Sequence, residues 1–269
     1  MTRLALQIAR SALRRPATRH RYGEHPRQVA DLHRPTGPGP FAVVVVLHGG
    51  YWQPPYTKLI MRPLCVDLAR RGYAVLNVEY RRLGREGGGW PHTFDDVATA
   101  IDHLAAAELA AAAALDLDRV TLLGHSAGGQ LALWAAGRPE LPAGAPGAEP
   151  RVRASRVLAL APVCDLESAG GAAWELLGGG PAEVPERWQQ ADPMRRIPLG
   201  VPVGIVHAHG DETVALRRSR AYAAAAQAAG ADVTLAEPEG GHRDPIDPRS
   251  SAWHEAAGWL SAGAPQLRA

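Results

Sequence analysis

The chain alternates short apolar runs with longer segments of helical spacing. The clearest run, residues 41–47, reads Phe-Ala-Val-Val-Val-Val-Leu and has no polar alternation, which is typical of a central strand covered on both faces. Similar runs predict strands at 28–32, 73–78, 120–123, 157–160, 202–206 and 233–236. Strands separated by helices predict an α/β fold with a mainly parallel central sheet and helices on both faces.

Helical spacing predicts the connections between these strands: 57–71, 93–115, 130–136, 215–229 and 251–260. Gly72 is a good stop for the first helix, and Thr93 with Asp96 three residues later resembles a capping box for the second. Residues 165–199 lack clean periodicity and contain two tryptophans and four prolines. We therefore expect short helices there, forming a small cap over the site.

Length and composition predict one globular domain over residues 1–269. The chain is 46% hydrophobic and 21% charged, with a formal net charge of +2, so nothing favours nucleic acid as a partner. Two cysteines without a spacing motif indicate a reducing compartment, and we expect a cytoplasmic protein. The arginine-containing segment 1–15 is too short and interrupted for a secretory signal; we expect a surface helix, with an amphipathic transit peptide as the alternative. No stretch predicts a membrane span.

A serine stands between a predicted strand and a predicted helix. Residues 124–128 read Gly-His-Ser-Ala-Gly and fit the G-x-S-x-G pattern of a nucleophile elbow. In such an elbow the serine takes a strained turn conformation, and flanking glycines let strand and helix approach closely. The sequence therefore predicts Ser126 as a nucleophile.

A serine nucleophile needs a base and an acid that fixes the tautomer of the base. The chain order of α/β-hydrolases, Ser then acid then His, favours His242, which follows the strand at 233–236 in a glycine-containing loop. The acid that follows the strand at 202–206 is Asp211, with its neighbour Glu212 and then Asp165 as alternatives. His254 lies within a helical pattern and is a poor candidate for the base.

Backbone donors for an oxyanion are expected in two places. Gly49, Gly50 and Tyr51 follow the first buried strand, and the second donor is the N–H of Ala127, directly after the nucleophile. His48 is expected to brace this loop. The sequence also offers a weaker rival, a metal site built from His207, His209 and Asp211, but the second half of such a site is not visible, and we expect no metal and no cofactor.

The residues from 48 to 52, His-Gly-Gly-Tyr-Trp, are similar to the H-G-G-x-W signature of the kynurenine formamidase (arylformamidase) branch of α/β-hydrolases and related bacterial esterases. The elbow matches that branch too, as do segments 22–23, 79–82, 88–91 and 95–97. Around the acid, the family pattern H-G-x-x-D-x-x-V-P is altered: Ala208 and Ala215 replace its first glycine and its proline, while Asp211 and Val214 stay in register.

The resemblance implies an α/β-hydrolase fold and a serine hydrolase of small acyl substrates. The implied substrate is an aryl formamide such as N-formylkynurenine, or a short-chain ester, and Trp52 and Trp90 could line its pocket. Two other functions stay open: a hydrolase-fold protein that binds a small ligand without turnover, and a serine exopeptidase. The partner that we expect is a small molecule, and the sequence predicts no oligomeric state.

Overall fold

The computed structural model describes residues 17–262, and in them a single sheet forms the centre of the molecule. The described residues form eight strands: β1 Thr18–Arg21, β2 Val29–His33, β3 Phe41–Leu47, β4 Ala74–Val78, β5 Leu115–His125, β6 Arg156–Leu160, β7 Val203–Val206 and β8 Val233–Ala236. Their order across the sheet is β1-β2-β4-β3-β5-β6-β7-β8. The strands from β4 to β8 in that order run parallel, while β2 pairs antiparallel with both β1 and β4.

Helices cover both faces of the sheet. In the described residues they are α1 Arg62–Arg70, α2 His92–Asp102, α3 Ala107–Ala113, α4 Ala127–Ala136, α5 Gly171–Leu177, α6 Pro185–Ala191, α7 Leu216–Ala228 and α8 Ser251–Ala262. Alternate residues of β3 enter two separate cores: Val43, Val45 and Leu47 join the larger one, whereas Val44 and Val46 pack with α1 and α8. Burial on both faces explains the unbroken apolar run of β3. This is the α/β-hydrolase architecture that the sequence predicts.

Two local predictions are wrong, and one strand was not predicted. Thr93 lies within α2 rather than before it, and its Oγ1 accepts from the N–H of Gly89 and donates to the carbonyl of Arg81, so no capping box forms. The helix expected up to residue 115 breaks into α2, a 3₁₀ turn and α3, which ends at Ala113 because the next residue, Ala114, has a left-handed φ of 52°. The antiparallel edge strand β1, which the sequence analysis does not anticipate, has a polar sequence.

Residues 165–199 do contain short helices, α5 and α6, with 3₁₀ turns on either side. They pack against the loops that follow β3 and β4. Gln53 Nε2 donates to Glu175 Oε2 (3.0 Å), and the N–H of Trp90 donates to the carbonyl of Leu176 (2.7 Å). The role of this segment as a cap stays a prediction. The segment predicted as an N-terminal surface helix, 1–15, lies outside the described residues.

His33, on β2, is buried, and its environment links stability to pH. Burial and the positive charges of Arg62 and Lys58 lower the pKa of His33 to about 4, although the negative charge of Asp31 partly opposes them. A histidine of depressed pKa binds its proton in the unfolded chain first, so stability should fall as pH drops from about 6.5 towards 4. We expect His33→Gln to remove about 2 kcal/mol of the stability loss between pH 7 and pH 5.

Urea unfolding at the two pH values measures this effect. The matched control is His254→Gln, because His254 is exposed on α8 and its replacement should leave the pH dependence of the wild type in place. An unchanged dependence in His33→Gln would contradict the expectation.

Candidate active site

Ser126 occupies a sharp turn between β5 and α4. Its backbone has φ 56° and ψ −120°, a conformation that non-glycine residues rarely adopt and that costs about 1–3 kcal/mol. Its amide donates to the carbonyl of Leu160 at 2.9 Å, and its carbonyl accepts from Gly129 (2.9 Å) and Val163 (3.2 Å). These contacts with β6 and the first turn of α4 hold the strained residue in place. The geometry is that of a nucleophile elbow.

The flanking glycines are required by close backbone approach. A Cβ on Gly124 would lie 2.0 Å from the carbonyl oxygen of Gly128, and one on Gly128 would lie 2.2 Å from that of Leu47, at the end of β3. Neither contact could be relieved by a side-chain movement, because both partners are backbone atoms. The sequence prediction that these glycines let strand and helix approach around the turn therefore has a direct structural reason.

His242 and Asp211 lie together at the ends of neighbouring strands. The loop after β8 carries His242, the loop after β7 carries Asp211, and Nδ1 of the histidine is 2.7 Å from Oδ2 of the aspartate. The Asp211 side chain is fully buried, whereas that of His242 is 14% exposed. Glu212 is exposed, and Asp165 accepts from the N–H of Ser168 on its own loop. Of the three acids weighed from sequence, the structure brings Asp211 to the histidine.

Asp211 has a second histidine partner, His207, which the sequence analysis considered only as a ligand of the rival metal site. Nε2 of the buried His207 lies 3.0 Å from the same Oδ2, and Oδ1 accepts from the N–H groups of Thr213 and Val214, both at 2.8 Å. Burial raises the pKa of Asp211, but the hydrogen bonds from His207, His242 and Val214 outweigh it and hold that pKa far below its usual range. The carboxylate is therefore ionised and fixed on both oxygens.

Ser126 and His242 line one cavity of about 230 Å³. Its lining residues are Gly49, Gly50, Tyr51, Tyr56, Ile60, His125, Ser126, Thr213, His242, Arg243 and Ile246. In the described part of the chain, no hydrogen bond joins the Ser126 hydroxyl to His242. In serine hydrolases, the hydrogen bond between nucleophile and base is often long in the free enzyme and shortens when substrate binds.

His125, between Gly124 and the serine, is buried and contacts the loop that carries His242. Its Nε2–H donates to the carbonyl of His242 at 2.8 Å, and the two rings lie 4.6 Å apart. Burial, followed by the charge of His242, lowers the pKa of His125 to about 3, so the ring is neutral at working pH. It holds the backbone of the loop that presents His242, a role that the sequence analysis did not assign.

The predicted oxyanion loop lies against the elbow. Gly49, Gly50 and Tyr51 all line the cavity, and an added Cβ on Gly49 would be 3.0 Å from that of Ser126. Within residues 17–262, the N–H groups of Gly50 and Tyr51 donate to no other group of the protein. Ala127 is the first residue of α4, and its N–H has no acceptor within the helix. These amides are free to donate to a substrate oxygen.

A buried network braces this loop from behind. His48 Nε2 is 2.9 Å from Oε1 of Glu79, its ring stacks on Tyr80 at 4.3 Å, and the Tyr80 hydroxyl donates to the His48 carbonyl at 2.7 Å. Burial raises the pKa of Glu79, but the hydrogen bond from His48 and the charge of Arg82 outweigh it, so the carboxylate stays ionised. His48 thus occupies the bracing position expected from sequence.

The predicted pocket tryptophans do not reach the cavity. Trp52 is 1% exposed and donates from Nε1 to Gln130 Oε1 at 3.2 Å, which places it in the core beside α4. Trp90 packs on Phe94 with ring centroids 5.0 Å apart. Neither is among the residues that line the cavity, because both face the larger core. Tyr51, 48% exposed, and Tyr56 are the aromatic residues that line it.

The rival metal site is not assembled from its candidate residues. β7 ends at Val206, so His207 and His209 do not share a strand face. His207 is buried, with Nδ1 2.8 Å from Ser219 Oγ, whereas His209 is 44% exposed and lies 3.7 Å from Glu237. Among residues 17–262, no three His, Cys, Asp or Glu side chains cluster as a metal site.

None of the helices in residues 17–262 has the length and apolar character that a membrane span requires.

The sheet order, the elbow and the loops at the ends of its parallel strands define an α/β-hydrolase fold. A family model described as BD-FAE matches residues 30–225, and the chain belongs to that family. No curated protein matches the chain.

Solved esterase structures share the fold. Esterase Est2 from Thermogutta terrifontis is 24% identical to this chain, with a TM-score of 0.76 over 94% of this chain and 95% of that one. Its butyrate-bound form (21% identity, TM-score 0.75) and its form phosphonylated by sarin (22%, 0.74) each match 94% of this chain and 97% of theirs. A truncated carbohydrate esterase from gut microbiota is 19% identical, with a TM-score of 0.77 over 92% and 96%.

Proposed function

We propose that this protein is a serine hydrolase that cleaves a short-chain carboxylic ester or a small aryl formamide through an acyl-enzyme. The observation that carries the proposal is the position of His242, which contacts the buried, ionised Asp211 on one side and lines the cavity of Ser126 on the other. An imidazole with its Nδ1–H on a carboxylate presents Nε2 as a base. That is the arrangement a serine needs to become a nucleophile at neutral pH.

The residues then act in a defined order. Oγ of Ser126 attacks the substrate carbonyl while Nε2 of His242 takes its proton, and the N–H groups of Gly50 and Ala127, with Gly49 or Tyr51 nearby, hold the oxyanion. The bond to the leaving group breaks as His242 returns the proton to it. Water, activated by the same imidazole, attacks the acyl-serine and releases the acid and the free hydroxyl. Asp211 stabilises the imidazolium and does not take up the proton.

Two observations support a small substrate. The cavity at Ser126 measures about 230 Å³, below the usual range for pockets that hold drug-sized ligands. Est2, which shares the fold, has been solved with butyrate bound, and its phosphonylation by sarin is the reaction of an activated nucleophile. The formamide alternative depends on the H-G-G-x-W resemblance of residues 48–52.

One experiment separates the possible functions. Purified protein is assayed with p-nitrophenyl butyrate, N-formylkynurenine and an amino-acid p-nitroanilide, and separately treated with a fluorophosphonate probe. We expect turnover of the ester or the formamide, and covalent labelling at Ser126 that Ser126→Ala abolishes. Turnover of the anilide alone would indicate an exopeptidase. Labelling of another serine, Ser155 or Ser219 for example, would contradict the elbow assignment.

A further inference from the structure

A single arginine stands beside the catalytic histidine in the substrate cavity. Arg243 directly follows His242 and lines the same cavity as Ser126. Its backbone is fixed at the start of a 3₁₀ turn, Asp244–Ile246, where its carbonyl accepts from the N–H of Ile246 at 3.2 Å. The guanidinium is therefore carried by an ordered turn next to the reacting groups.

This guanidinium has no protein partner within residues 17–262, although a carboxylate is adjacent in sequence. Asp244 instead accepts from the N–H of Gly241 at 2.6 Å. Arg249, six residues further on, does have an acidic partner, because its Nε lies 3.4 Å from Oδ1 of Asp247. Arg243 is exposed and can donate its N–H groups to a ligand.

The charge of Arg243 is unopposed in the cavity. No Asp or Glu is among the lining residues: Asp211 is fully buried behind His242, and the exposed Glu212 is not part of the lining. His125, which also lines the cavity, is neutral, and the charge of Arg243 contributes to keeping it so, after burial and His242. A planar cation in a cavity without acids favours a carboxylate, which the guanidinium can bind through two parallel hydrogen bonds.

We propose that Arg243 forms an anion-binding subsite next to Ser126 and His242, so that the preferred substrate is an ester or formamide that carries a carboxylate. The inference deepens the proposed function and rests on it. The carboxylate would lie on whichever part of the substrate, acyl or leaving group, extends past His242 towards Arg243. The arms of the test distinguish these two placements.

The test uses pairs of esters that differ only in a carboxylate or a carboxamide. 4-Carboxyphenyl acetate with 4-carbamoylphenyl acetate examines the leaving-group side, and the 4-nitrophenyl monoester of adipic acid with its terminal amide examines the acyl side. We expect the carboxylate member of at least one pair to be favoured in kcat/KM by about five- to tenfold, and the preference to shrink as salt is raised. Arg243→Gln should abolish the preference, Arg243→Lys should keep part of it, and the control Arg249→Gln should leave it intact.

A binding measurement keeps the inference separate from catalysis. In the Ser126→Ala background, titration calorimetry should give tighter binding of 4-carboxyphenyl acetate or the adipate monoester than of its amide, and adding Arg243→Gln should equalise the two. Tighter carboxylate binding without turnover in the wild type would overturn the proposed hydrolase function and keep the subsite. Equal binding and equal turnover within both pairs, or a preference that survives Arg243→Gln, would overturn the subsite.

Discussion

Replacing Ser126 by alanine should abolish nearly all hydrolysis, and replacing His242 by alanine should be almost as severe. In the serine hydrolase best studied in this way, either loss alone lowers kcat by about 10⁶-fold. The physical reason is that the two side chains act as one unit: without the imidazole the hydroxyl keeps its proton, and without the hydroxyl the imidazole has nothing to activate. The measurement is kcat on p-nitrophenyl butyrate, or on N-formylkynurenine if that is the substrate turned over.

The double variant makes this prediction specific. If Ser126 and His242 act as a unit, Ser126→Ala/His242→Ala should be hardly worse than either single change, because the remaining activity comes from the oxyanion donors and from binding. If the two losses multiplied, the residues would contribute independently and the pairing would be wrong. Circular dichroism of the variants checks that the fold survives, which we expect because both side chains line a cavity instead of filling the core.

The fold could be predicted from the sequence where burial on both faces removes ambiguity. β3 and β7 are short, buried apolar runs whose neighbours in the sheet are parallel, and their predicted positions agree with the structure to within a residue. β1 could not be predicted, because Thr-Arg-His-Arg has neither apolar content nor alternation, and only its pairing with β2 makes it a strand. The capping-box prediction at Thr93 was wrong for a related reason: its hydroxyl makes hydrogen bonds with Gly89 and Arg81, contacts that depend on tertiary structure.

The candidate site, too, could be predicted only in part. Motif spacing was enough to place Ser126, Asp211 and His242 in one chain order, and the structure brings the last two into contact. It was not enough for the roles of His207 and His125, which depend on loops that approach one another from distant parts of the chain. The orientation of the Trp52 side chain could not be predicted from the sequence either, because a tryptophan after the oxyanion glycines can face either the cavity or the core.

The arrangement around Asp211 predicts the effect of its amide substitution. Oδ1 accepts from two backbone N–H groups, those of Thr213 and Val214, so an asparagine should keep its carbonyl oxygen there. Its NH₂ group would then occupy the position of Oδ2, facing Nδ1 of His242. Because an amide NH₂ only donates, His242 would have to accept at Nδ1 and carry its proton on Nε2, the tautomer that cannot take a proton from Ser126.

Asp211→Asn should therefore keep the fold and lose activity by up to about 10⁴-fold in kcat, the loss seen for this change in the best-studied triad. His207 should tolerate the change, because its Nε2 also lies 2.9 Å from the carbonyl of Val214 and keeps an acceptor. The matched control is Glu212→Gln, one residue away and exposed, which should stay within a few-fold of the wild type. Steady-state kinetics rank the two variants, with urea unfolding to confirm that both are folded. The opposite ranking would transfer the role of the acid to Glu212. Equal activity of both variants would show that His242 does not depend on the Asp211 carboxylate, and the proposed triad would be wrong.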